Sequence, residues 1–296
     1  MEQRYGTPIE WLIPFIFCVC FGWVIWHGPA YILDFGPENA QLLAQFDRID
    51  VTPTLSPVFG LRGDFVDYAA LILSPLLFMV GIMTVRRAPM EYDPLYKVDR
   101  PSIFFGRITM MLIIIMTSVM LYEVIVRYVF DAPTLWANEL SLWVAGFVFL
   151  LAGIYAMQQR CHIRIFLLYD AVPRVLQKTF DIISTSLIVF FALALIYGGY
   201  GEAFAKFMRW ETFGTAFDPP IPATLKTMVL FVVSMVAIQA VMNLINDWHL
   251  VPVKHTAADD IDQDEIERLK AAVGVDGVGD LDVTRSAIQS TKTRDT

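Results

Sequence analysis

The chain has 296 residues, 56% hydrophobic and 18% charged, with a formal net charge of −8 at pH 7 and a mean hydropathy of +0.54. Soluble domains run at roughly 45–50% apolar and about 25% charged, so this composition leans towards a membrane protein. The acidic balance argues against a nucleic-acid binder, which would carry a basic patch or stripe.

At the start, MEQRYGTPIEW carries an acid and a single Arg ahead of a long apolar run without an A-x-A-like cleavage site. That pattern predicts a retained span in place of a removed signal peptide. Cys18 and Cys20 lie two apart on this predicted helix and face different ways, and Cys161 stands alone. Metal or disulfide chemistry needs converging thiols, so all three are expected to be inert.

A helix needs about 20 mostly apolar residues to cross a bilayer. Six runs qualify, over 11–33, 66–85, 104–126, 139–157, 181–200 and 226–246. A loop rich in Pro, Gly and Asp separates Asp34 from Asp64. The polar stretch RRAPMEYDPLYKVDRPS (86–102) then divides an N-terminal pair of spans (1–85) from a four-helix core (103–250). No internal repeat appears, which disfavours a transporter built from inverted halves. The expected fold is an all-α integral membrane protein, a four-helix core plus an N-terminal helix pair.

Lys and Arg set the orientation, because cytoplasmic loops carry their excess. Arg86, Arg87, Lys97, Arg100 and Arg107 fall in one connection, and Arg160, Arg164, Arg174 and Lys178 in another. The alternate connections carry only Arg48 and Arg62, then Arg127, then Lys206 and Arg209. Both termini are therefore expected in the cytoplasm. The segment 162–180, HIRIFLLYDAVPRVLQKTF, is basic and amphipathic and predicts a helix lying in the cytoplasmic interface.

Residues 251–296 form an acidic tail, with ten acids and six bases from Lys254 onwards. Asp260, Asp262 and Asp264 imitate the start of a calcium-binding loop, but Glu265 and Ala271 stand where that loop needs Gly and Glu. Calcium is rejected.

The connection between the third and fourth spans, YEVIVRYVFDAPTLWANELSLW (122–143), is unusually charged. Glu123 and Arg127 are four apart in the favourable order for a helical ion pair, which limits the cost of charge near lipid. Asp131, two before Pro133, suits the start of the next helix. Trp136 belongs at the headgroup level, and Glu139 is favoured by the positive end of the fourth helix. Glu139 is expected to reach back to Arg127 in a Glu–Arg–Glu cluster. Ser141, Ala145, Ala152 and Ala156 give that helix a small-residue face where another helix can approach.

With these residues in place, the run from Glu123 through RYVF to WANEL, followed by GFVFLLAGIYAMQQRCHIRIFLLYDAVPR, resembles the DctQ-type small membrane subunit of tripartite ATP-independent periplasmic (TRAP) transporters. Arg127, Tyr128, Trp136, Glu139, His162, Ile163 and Pro173 match the positions that carry the resemblance. DPPIPATLKTMVLFVVSMVAIQAVMNLI (218–245) is similar to the last helix of the longer members, with Pro222, Lys226 and Gln239 in place. Phe166 departs from the family, which often has an acid there.

The resemblance covers about 103–250 and implies a scaffold subunit of the bacterial inner membrane. It implies as partners a large permease subunit that carries substrate and sodium ions, and a periplasmic substrate-binding protein. It implies no cofactor of its own beyond contacts with membrane phospholipid. Organic acids, sugar acids included, dominate the family, and their recognition lies with the other subunits. The residues agree in one respect: the predicted spans hold almost no mid-membrane ionisable group, the usual marker of an ion or substrate path.

An enzyme would need convergent nucleophiles, acids and bases, which the sequence does not offer. A haem-holding anchor of an electron-transfer complex is the alternative, and it needs two histidines at similar depth. Only the interfacial His162 and His249 approach that.

Overall fold

In a computed structural model the described residues are 8–37, 39–48, 60–88, 91, 96–160 and 172–249. They build helices α1 (Pro8–Trp26), α2 (Gly28–Phe35), α3 (Ala40–Arg48), α4 (Phe65–Thr84), α5 (Arg100–Val129), α6 (Trp136–Gln158), α7 (Arg174–Met208) and α8 (Ile221–Asp247). A 3₁₀ turn over Lys97–Asp99 leads into α5, and no strand occurs among the described residues. α1, α4, α5, α6, α7 and α8 are long and apolar enough to cross a membrane. The all-α fold with six spans is as the composition predicts.

The helices from Pro8 to Gln158 and from Val175 onwards belong to one compact unit. A second unit takes in 164–174 and 250–296, of which only 172–174 are described.

Two element boundaries differ from expectation. The first span does not run to residue 33: α1 stops at Trp26. The His27 backbone turns there, and α2 restarts at Gly28 with Pro29 in its first turn. Proline tolerates a first helical turn but breaks the ladder behind it. In the second case, 174–180 is not a separate interfacial helix. It is the opening of the 35-residue α7 and runs unbroken into the predicted fifth span. Residues 161–171 lie outside the described residues.

The spans alternate in direction, giving the bundle two ends. The terminal end gathers the starts of α1, α5 and α7 with the ends of α4, α6 and α8, and there Glu10 faces Arg86 at 3.8 Å. The hairpin end holds the α5–α6 and α7–α8 connections together with α2 and α3.

The core lies between α1, α4, α5, α6 and α8. Phe17, Phe104, Phe105, Ile108, Leu151, Ile154 and Val232 are buried together, with Phe78 of α4 against them. Phe78 sits 5.6 Å from Phe104 and 5.2 Å from Phe105, ring centre to ring centre. Such tilted pairs add to plain area burial. A second cluster at the hairpin end joins Ile32, Leu33 and Leu42 of α2 and α3 to Trp210 and Ala223.

The stretch after α4 is tied to the core. Glu91 is buried, accepts from the Arg107 guanidinium at 2.8 Å and from the Tyr155 hydroxyl at 2.8 Å. It also takes the Ala88 N–H at 2.7 Å. Three donors on one carboxylate are what make such burial tolerable.

Candidate functional site

The charged turn between α5 and α6 is built on Glu123, which is buried among mostly exposed neighbours. One carboxylate oxygen accepts from Arg127 Nε at 3.1 Å and Nη2 at 2.5 Å. The other accepts the Thr134 N–H at 3.2 Å, and the Thr134 hydroxyl as well. Glu123 thus fixes its own helix turn and the returning loop at once. The Arg127 side chain is half-exposed, and Tyr128 beyond it is largely so.

Asp131 does not start α6. It takes the left-handed conformation, φ 51°, and behind it the Ala132 N–H returns to the Val126 carbonyl at 3.2 Å. A left-handed residue closing a helix end leaves an N–H free to satisfy an orphan carbonyl, and Asp tolerates that conformation better than most. α6 begins at Trp136, whose ring stacks on Tyr122 of α5 at 5.8 Å.

Glu139 does not meet Arg127. Its carboxylate accepts the Thr215 hydroxyl at 2.5 Å and the Asp218 N–H at 3.1 Å, so it holds the α7–α8 connection instead. Asp218 is left-handed, φ 57°, and its own carboxylate accepts from Thr212 at 3.0 Å and from the Gly214 N–H. Phe217 of the same loop stacks on Trp26 of α1 at 5.4 Å. The two predicted carboxylates therefore secure two different loops at one end of the bundle.

Of the small-residue face, Ser141 is buried, while Ala145, Ala152 and Ala156 are half-buried. The tightest approaches use other residues. A Cβ at Gly146 would enter the Leu225 side chain of α8, and one at Gly106 would enter the Tyr155 ring. Beside them Trp143 Nε1 donates to Thr224 Oγ1 at 2.8 Å, joining α6 to α8.

Lys226 pairs with Glu202, linking α8 to α7. Gln239 is the centre of a buried network at the terminal end. Its Oε1 accepts from Ser102 at 2.8 Å, and its Nε2 donates to Asp99 at 2.8 Å and Asn243 at 2.9 Å. Asn243 in turn donates to the Met157 carbonyl at 2.7 Å, so the linked amides of Gln239 and Asn243 join α8 to α5 and α6. His162 lies outside the described residues.

Sequence reasoning missed a polar cluster at the α1–α2 break. Asp67 accepts from Trp23 Nε1 at 2.8 Å and lies 3.6 Å from His27 Nδ1. The Tyr31 hydroxyl donates to the Asp67 carbonyl at 2.8 Å. Burial, reinforced by the nearby Asp67 carboxylate, pushes the Tyr31 phenol above its ordinary range. The signal was present in Asp64-x-x-Asp67 ahead of an apolar run. These residues form a reciprocal cap, each side chain taking the other's N–H at 2.9 Å, in the manner of a capping box.

Among the described residues no three His, Cys, Asp or Glu side chains converge as a metal site would require. The arrangement is one of ties between helices and loops.

The comparisons with known proteins identify the helical core. The family model of the DctQ component of tripartite ATP-independent periplasmic transporters matches residues 116–250. No match was found among curated proteins or among solved structures. The matched stretch runs from within α5 through α8 and contains the Glu123, Glu139 and Gln239 ties, whereas α1 to α4 precede it. Residues 116–250 of this multi-pass helical membrane protein thus match the DctQ component, the small subunit of TRAP transporters.

Proposed function

We propose that this chain is the non-transporting scaffold of a sodium-coupled TRAP transporter in the bacterial inner membrane. It supports a large permease subunit, and a periplasmic binding protein delivers an organic acid to that permease. Sodium and substrate are bound by the partners, and this chain has the surrounding phospholipid as its only other ligand.

One observation carries the reading. In the six spanning helices every Asp, Glu, Lys and Arg stands within seven residues of a helix end. An ion or substrate path would place such groups at mid-depth. The charged groups serve connections instead: Glu123 and Glu139 at the hairpin end, Glu91 at the terminal end.

The orientation follows from the same ends. Arg86, Arg87, Arg100, Arg107 and Arg160 lie at the terminal end, which supports placing it and both termini in the cytoplasm. The hairpin end then faces the periplasm, where its loops help hold the complex together.

Co-purification tests the scaffold role. A tagged chain should bring down the permease encoded with it, and Glu139→Ala, by releasing the 212–218 loop, should reduce the yield severalfold while the chain still inserts. A chain that inserts and never retains the permease would defeat the reading.

A further inference from the structure

Near the terminal end of α4 stand three cations, of which Arg86 alone has an acid within 4 Å among the described residues. Arg100 Nη1 donates, weakly at 3.4 Å, to the Met83 carbonyl in the last turn of α4, a place that favours positive charge. Arg86 follows three residues later and lies 3.8 Å from Glu10, with its side chain mostly exposed. Lys97, exposed, stands one helical turn before Arg100.

Two of the described acids nearby, Glu91 and Asp99, are turned inward. Glu91 is occupied by Arg107, Tyr155 and the Ala88 amide. Asp99 is fully buried and takes Gln239 Nε2 at 2.8 Å and the Tyr96 N–H at 3.1 Å.

Beneath the cations runs an apolar stripe. Ile72, Leu76, Met79 and Met83 are 62%, 56%, 61% and 69% exposed. Their spacing of four, three and four puts them on one face of α4. Eleven residues of helix rise about 16 Å, close to one leaflet of a hydrocarbon core about 30 Å thick.

We propose that this face binds an anionic phospholipid, its phosphate held by Arg86, Lys97 and Arg100 and an acyl chain lying along the α4 stripe. Basic groups set directly above lipid-facing apolar surface recognise anionic headgroups, and the unbranched methionines adapt to a mobile chain. The site lies wholly before residue 116 and so outside the family-matched core. It gives the N-terminal helices a lipid preference of their own.

The test uses the full chain in phosphatidylcholine vesicles carrying a trace of spin-labelled phosphatidylglycerol or spin-labelled phosphatidylcholine. The immobilised fraction of each label is read by electron paramagnetic resonance. Phosphatidylglycerol should associate several times more strongly, by up to about fivefold per cation. The triple variant Arg86→Gln, Lys97→Gln, Arg100→Gln should bring it down to the phosphatidylcholine level. Arg86→Lys with Arg100→Lys should retain the preference, as should Arg209→Gln at the opposite end, and millimolar inorganic phosphate should leave it unchanged. Equal association of the two labels with the native chain would overturn the proposal. So would a preference that survives the triple variant, or displacement of the label by inorganic phosphate.

Discussion

Glu123 and Arg127 share one ion pair but not one environment. The Glu123 side chain is buried and holds the Thr134 amide as well, whereas the Arg127 side chain is half-exposed. An exposed pair contributes about 1 kcal/mol or less, so Arg127→Ala should lower the melting temperature little. Glu123→Ala frees the returning loop and should lower it more, under the same detergent conditions. The reverse order would contradict this assignment of the turn to Glu123. Gln239 offers a sharper test, because its amide donates to the buried Asp99 carboxylate. Gln239→Leu should cost about 1–3 kcal/mol by stranding that acceptor and Ser102. Gln239→Glu should be worse, since it replaces the amide donor facing Asp99 with a second carboxylate in one buried site. Chemical denaturation of each variant in detergent at neutral pH reads both.

α5 and α6 are held close by a glycine that small-residue spacing alone does not reveal. Gly106 admits the Tyr155 ring, and the ring is fixed in turn by its hydroxyl bond to Glu91. Gly106→Ala should destabilise by about 1–3 kcal/mol through overpacking. Tyr155→Ala should cancel part of that loss, a coupling that a double-mutant cycle measures. Additive costs would show that the two residues do not meet. At this scale the sequence carried the existence of the six spans, because 20-residue apolar runs are local and strongly marked. It also carried the Glu123–Arg127 pair, whose spacing of four is dictated by helix geometry. The break at His27 was also marked, by the Gly28-Pro29 step, but the apolar composition that continues across it hides the signal. The sequence did not carry the destination of Glu139, whose partners Thr215 and Asp218 lie 76 and 79 residues away. Hydrogen bonds over such separations depend on which helices become neighbours, and apolar patterning does not encode that. The Asp64–Asp67 cap is legible as a motif, two acids three apart ahead of an apolar run.

Across the whole molecule, the proposed orientation puts the two ends of the bundle in opposite compartments. Single cysteines replacing the exposed Ala132 and Ala216, in a chain freed of its own cysteines, should react with an impermeant thiol reagent added to intact cells. A cysteine in place of the exposed Lys97 should stay unreactive until the membrane is opened. Labelling at 97 in intact cells would invert the topology. The α1–α4 region precedes the family-matched core, yet Phe17 and Phe78 pack into the same buried cluster as Phe104, Phe105 and Val232. α2 and α3 meet Trp210 in the α7–α8 connection. The N-terminal helices thus brace the hairpin end of the core from outside the matched region. The central claim, that this chain supports transport without performing it, is tested most directly by reconstitution. This subunit, the permease and the binding protein are placed in liposomes together and in every smaller combination, under an inward sodium gradient. The organic acid that the binding protein retains is supplied outside. Uptake should require all three proteins, and this chain alone should move nothing; sodium-driven uptake by this chain alone would contradict the account.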